Sequence, residues 1–168
     1  MRPLSGEYSE YYQGYIDLVE SDDIFIALEE GNRSALNILN SFSQSKGDYR
    51  YADGKWTLKE VIGHIMDTER VFAYRALAIA RGDRTPLPGF DQNEYVAHAK
   101  FNKRPLYELT YEYRLLREST LLLFKSFDES VLQNKGNANG QDITVLSLMF
   151  IIAGHEKHHI NVVKERYI

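Results

Sequence analysis

The chain has 168 residues, the size of one ordinary domain, and a domain of that size buries roughly 70% of its unfolded surface. Apolar residues make up 43% and charged residues 26%, a soluble globular profile, and a net charge of −4 argues against a basic face, so neither nucleic acid nor a membrane is an expected partner. There is no cysteine, which excludes disulfides and thiolate chemistry from the chain itself and confines any metal site to histidine and carboxylate.

In chain order, Met1 to Tyr8 hold no apolar run of signal-peptide length, and the longest apolar run, Leu148 to Ala153, is too short to span a bilayer. A cytoplasmic protein is expected. Tyr8 to Tyr15 is tyrosine-rich and reads as a short helix laid over the rest. Four longer segments carry the three-four spacing of amphipathic helices. The first, predicted over 22–44, presents Ile24, Leu28, Ala35, Ile38 and Phe42, with Ser21 as its cap. The second, 57–81, opens on the capping box Thr57-Leu58-Lys59-Glu60, runs through Val61, Ile65, Phe72 and Ile79, and stops at Gly82. Residues 83–104 form a long connection containing Thr85-Pro86-Leu87-Pro88-Gly89-Phe90. The third helix, 105–127, follows Pro105 with Leu109, Tyr113, Leu116, Thr120, Leu123 and Phe127. A second long connection, 128–143, carries the turn signal Asn139-Gly140. The fourth helix, 144–166, has the stripe Leu148, Ile151, Ile152, Val162 and Val163. No boundary divides the chain, so one domain, 1–168, is expected: an all-α four-helix bundle with long crossover connections.

Five histidines occur. His155 and His159 are four apart, about 40° around the helix, on the same face as Leu148, Ile151 and Val162, so both imidazoles should point inward. Buried imidazoles need partners, and such a pair can share a metal ion, although chance also produces such pairs. His64, one turn into the second helix, completes a set of three. Three imidazoles from two helices match the open tetrahedral site of catalytic zinc, and nickel also suits imidazole. His158 lies to the side of the pair and His98 reads as surface. His155-Glu156-Lys157-His158-His159 matches H-E-x-x-H literally, but only nine residues follow and Glu165 is on the wrong face, so the third ligand must come from upstream.

Trp56 to His64, Asp67-Thr68-Glu69-Arg70, Leu87-Pro88-Gly89-Phe90-Asp91 and Ala153-Gly154-His155-Glu156-Lys157-His158-His159, in that order, resemble the DinB-like superfamily of metalloenzymes. The resemblance runs from about Ile16 to the C-terminus. It implies an up-down-down-up bundle, often a homodimer, and a metal triad mapping to His64, His155 and His159. Some relatives are S-transferases using the low-molecular-weight thiols bacillithiol or mycothiol, and others are named metal-dependent hydrolases.

Two readings follow. In the first, the protein is an enzyme on a small-molecule substrate, with a divalent metal ion, zinc or nickel, activating a bound water or a thiol cosubstrate. In the second, it is a noncatalytic metal-binding dimeric sensor or interaction module. Glu156 reads either as a base acting through the bound water or as a solvated residue. Asp67 and Glu156 are the carboxylates nearest the ligands in sequence and candidates to orient an imidazole, with a solvated helix face the plainer reading for Asp67. Arg75, within about 20° of His64 and three turns on, reads either as a binder of an acidic substrate group or as the partner of a carboxylate in the bundle. Phe90 and Asp91 are candidates to roof the pocket, and Trp56 reads as a packing anchor.

Overall fold

The computed structural model describes all 168 residues. Its helices are α1 (Gln13–Asp17), α2 (Ile24–Leu39), α3 (Leu58–Ala80), α4 (Gln92–Ala99), α5 (Leu106–Lys125) and α6 (Val145–Arg166), and its one sheet is a hairpin of β1 (Lys135–Ala138) and β2 (Gln141–Thr144). No helix is long and apolar enough to cross a membrane.

The helix boundaries follow their capping chemistry. The Thr57 side chain accepts from the Glu60 amide while the Glu60 carboxylate accepts from the Thr57 amide, so the capping box is complete. At the other end of α3, Gly82 at φ +83° lets the amides of Gly82 and Asp83 bond the carbonyls of Ile79 and Ala78, which closes the helix. Thr144 caps α6 by accepting from Ser147. The two ends of α2 depart from expectation. Asp23 rather than Ser21 caps α2, accepting from Phe25 and Ile26, while Ser21 holds the Asp23 amide. And α2 ends at Leu39, five residues early, because Asn40 and Ser41 turn the chain and the Ser41 hydroxyl takes the Ile38 carbonyl.

Four helices form the bundle. Glu69 meets Arg117 while Lys59 meets Asn102 just before α5, so α3 and α5 run parallel. Gly31 sits against Glu156 and Ala35 clusters with Ile160, so α2 and α6 also run parallel. His64 against His155 and Glu29 against Lys125 make the two pairs antiparallel to each other. The order is up-down-down-up: the first long connection spans the parallel step from α3 to α5, and the second, with its hairpin, joins the antiparallel α5 and α6. The Asn139-Gly140 signal makes a two-residue turn with both residues at positive φ, joining β1 to β2. Leu87 pairs with this hairpin through the Asn137 carbonyl and the Asn139 amide, which ties the first long connection to the second.

The core falls into two apolar clusters. One gathers Leu28, Phe72, Ile79, Phe124 and Phe150 with the first half of α6, and the other gathers Leu58, Ile62, Leu109, Tyr113 and Val163. Between them lies a buried polar layer of Arg117, Glu69, Glu156, His64 and His155. The inward face of α5 is Leu109, Tyr113, Arg117, Thr120 and Phe124. This corrects the expected stripe: Leu116, Leu123 and Phe127 are only half-buried, because the burial of Arg117 rotates the face by one residue.

Candidate metal centre

His64 is carried by α3, and His155 and His159 by adjacent turns of α6. The antiparallel packing of these helices brings their Nε2 atoms together. His64 Nε2 stands 2.9 Å from His155 Nε2 and 3.2 Å from His159 Nε2. Three nitrogens bound to a tetrahedral zinc at 2.0–2.1 Å stand about 3.3 Å apart, so the arrangement fits a divalent cation held by three imidazoles. His64 and His155 are buried and His159 is half-buried. Burial depresses the pKa of all three: His64 to about 4, His159 to about 3, and His155 well below its ordinary value, with the neighbouring imidazoles adding to the effect. The rings are therefore neutral at physiological pH, with lone pairs free for a cation.

Aromatic rings brace the cluster. Trp56 lies 4.8 Å from the His64 ring, and its carbonyl is held by the Tyr167 hydroxyl. Tyr15 of α1 stands 5.4 Å from the His155 ring. That contact depends on Gly154, since a Cβ there would run into the Tyr15 carbonyl. The atom facing His64 Nδ1 is the Thr68 hydroxyl, at 3.5 Å.

The remaining candidates are placed as follows. Asp67 is half-buried and faces Arg70, not a histidine, at 3.5 Å. Burial raises its pKa against the pull of Arg70. Glu156 is neither solvated nor at the cluster. It is 1% exposed, and its two oxygens accept from the Tyr113 hydroxyl and from Arg117 Nη1 at 2.9 Å. Arg117 in turn grips Glu69 with Nε at 3.0 Å and Nη2 at 2.8 Å. Burial, followed by the Glu69 charge, raises the Glu156 pKa. Asp91 is exposed and caps α4, accepting from Asn93 and Glu94. His98 is exposed on α4, and His158 is exposed beside the triad.

Two cavities flank the cluster. The first, about 260 Å³, is lined by His155 together with Tyr12, Tyr15, Phe72, Phe90 and Arg75. Phe90 thus covers it from the long connection, and Gln92, Asn139 and Gln141 add amides at its rim. The second, about 310 Å³, holds His159 and His158 with Trp56 and Tyr167. Sequence reasoning passed over Tyr12, Tyr15, Thr68 and the three amides. The tyrosine richness of residues 8–15 was the available signal, but nothing local places that segment against α6.

Comparison with known proteins agrees with this fold. YfiT from Bacillus subtilis, described as a "probable metal-dependent hydrolase with an unusual four-helix bundle topology", superposes with a TM-score of 0.75 over 98% of this chain and 90% of its own, at 17% identity. The protein named "Putative metal-dependent hydrolase OB0413" of Oceanobacillus iheyensis is 24% identical over 127 residues, 75% of this chain and 73% of that one. Residues 27–163 match the profile of the DinB superfamily, and the chain belongs to that superfamily.

Proposed function

We propose that the protein is a metal-dependent enzyme, with a zinc or nickel ion held by His64, His155 and His159 and a small-molecule substrate in the cavity that His155 borders. The observation that carries this reading is the convergence of three neutral Nε2 atoms from two helices. A divalent ion there supplies Lewis acidity and lowers the pKa of a water or thiol drawn to it. Hydrolysis is the favoured reaction, supported by the descriptions of both similar proteins.

The chain's own part is binding, orientation and exclusion of water. Thr68 and the Trp56 and Tyr15 rings fix the imidazoles, while Phe72, Phe90 and Tyr12 wall the cavity. No carboxylate lines either cavity. Glu156 is committed to Arg117 and Tyr113, so this reading assigns it no role as a base. Elemental analysis of untagged protein tests the proposal. His159→Ala is expected to remain folded and to lose its metal, along with turnover of a panel of chromogenic esters and amides. A wild-type protein that retains neither zinc nor nickel after dialysis overturns it.

Transfer of a low-molecular-weight thiol is the second reading. The histidines open on two cavities, His155 on one and His159 on the other, which provides room for two substrates. A thiol that changes the visible spectrum of cobalt-substituted protein supports it. An unchanged spectrum with bacillithiol, mycothiol and glutathione removes it.

A further inference from the structure

The guanidinium of Arg75 has no acid partner. The residue is 3% exposed, and no carboxylate lies within ion-pair distance of it. Its contacts are neutral: Nη2 donates to the Pro88 carbonyl at 2.7 Å, and Cζ lies 5.1 Å from the Phe72 ring centroid and 5.8 Å from that of Phe90. The Tyr12 phenol stands beside it. Two aromatic faces and one carbonyl recover only part of the hydration a guanidinium gives up on burial. Every other buried cation in the protein has an acid: Arg117 has Glu69 and Glu156, and Lys59 has Asp48. Arg75 borders the same cavity as His155, and it is the only side chain of fixed charge in its lining.

We infer that this cavity takes substrates bearing one carboxylate, with Arg75 as the residue that binds it and so sets specificity. A single guanidinium with no second cation balances one negative charge, which suits a carboxylate better than a phosphate dianion. His64 and Arg75 are eleven residues apart on α3, about 16 Å of helix rise, and the Arg75 side chain leans back toward the helix N-terminus. The carboxylate then sits about 10 Å from the histidines, with an apolar or aromatic body between Phe72, Phe90 and Tyr12. The inference rests on the proposed reading only in assuming that the reacting end of the substrate faces the histidines.

Calorimetry of the full chain with 3-phenylpropionate and its uncharged isostere 3-phenylpropionamide tests it. Both zinc-loaded and chelator-treated protein are titrated, so a chain that holds no metal still reports on Arg75. The acid is expected to bind at least about tenfold more tightly than the amide. Arg75→Gln should erase that preference while leaving amide binding and helical circular dichroism unchanged, and Arg75→Lys should keep part of it. Equal affinity for acid and amide in the wild type, absence of binding by both, a preference that survives Arg75→Gln, or tighter binding of phenyl phosphate than of the acid would each overturn the assignment. The wild-type comparison stands even if Arg75→Gln does not fold.

Discussion

Each histidine of the triad makes the metal-free protein sensitive to acid. His64 is depressed to about 4 and His159 to about 3, against an ordinary value near 6.5, with burial the main cause in both. Below pH 6.5 the unfolded chain takes protons that the folded chain refuses. Stability is therefore complete above that pH and declines as pH falls toward the folded values, by up to about 1.4 kcal/mol per pH unit for each histidine. The metal-free protein is expected to show a lower urea midpoint at pH 5 than at pH 7.5, and His64→Gln/His155→Gln/His159→Gln to flatten the difference. An unchanged slope in the triple variant would mean that other groups set the acid limit. The residues behind this sensitivity were legible, because histidines four apart on an apolar helix face have nowhere to point but inward. Glu156 was not legible. Its neighbours in sequence are polar and suggest a solvated position, and the groups that bury it, Arg117 and Tyr113, come from a helix some forty residues away.

At the level of elements, the polar layer sets the relation between helices. Arg117 of α5 binds Glu69 of α3, Glu156 of α6 and the Leu28 carbonyl of α2, so one side chain touches all four helices of the bundle. Gly31 belongs to the same arrangement, since a Cβ there would crowd the Glu156 carboxylate. Arg117→Met should leave two uncompensated buried carboxylates and cost about 3–5 kcal/mol, measured by urea denaturation. Replacing Glu69 and Glu156 as well, with apolar residues of similar volume, should recover most of that loss. If the single variant costs less than about 1 kcal/mol, the layer does not carry the helix registry. The four long helices were readable because each has a strong cap or breaker and a sustained stripe. By contrast, α4 buries only Val96, so no stripe marks it, and its one signal is the Asp91 cap inside a proline-rich stretch. The four-residue strands likewise left only the Asn139-Gly140 turn to read.

For the whole molecule, the apolar core is built without the three histidines, so an ion held by them would act on a fold that does not depend on it. The two apolar clusters, of 22 and 14 buried residues, span both ends of the bundle and leave the histidines in the layer between them. This differs from a zinc finger, where the ion replaces a missing core. Yet the ligands join α3 to α6 across 95 residues of sequence, and nothing in an unfolded chain holds them together. An ion bound only by the folded state stabilises it by mass action, by about 4 kcal/mol at a thousandfold excess over its dissociation constant. Chelation is therefore expected to leave the helical circular dichroism intact at room temperature and to lower the thermal midpoint. Restoring zinc should raise that midpoint in proportion to the logarithm of its free concentration. His159→Ala should melt near the chelated wild type and fail to respond to zinc. Loss of helical signal on chelation alone would place the ion among the forces that build the bundle, and a midpoint indifferent to zinc in the wild type would remove the ion from the site.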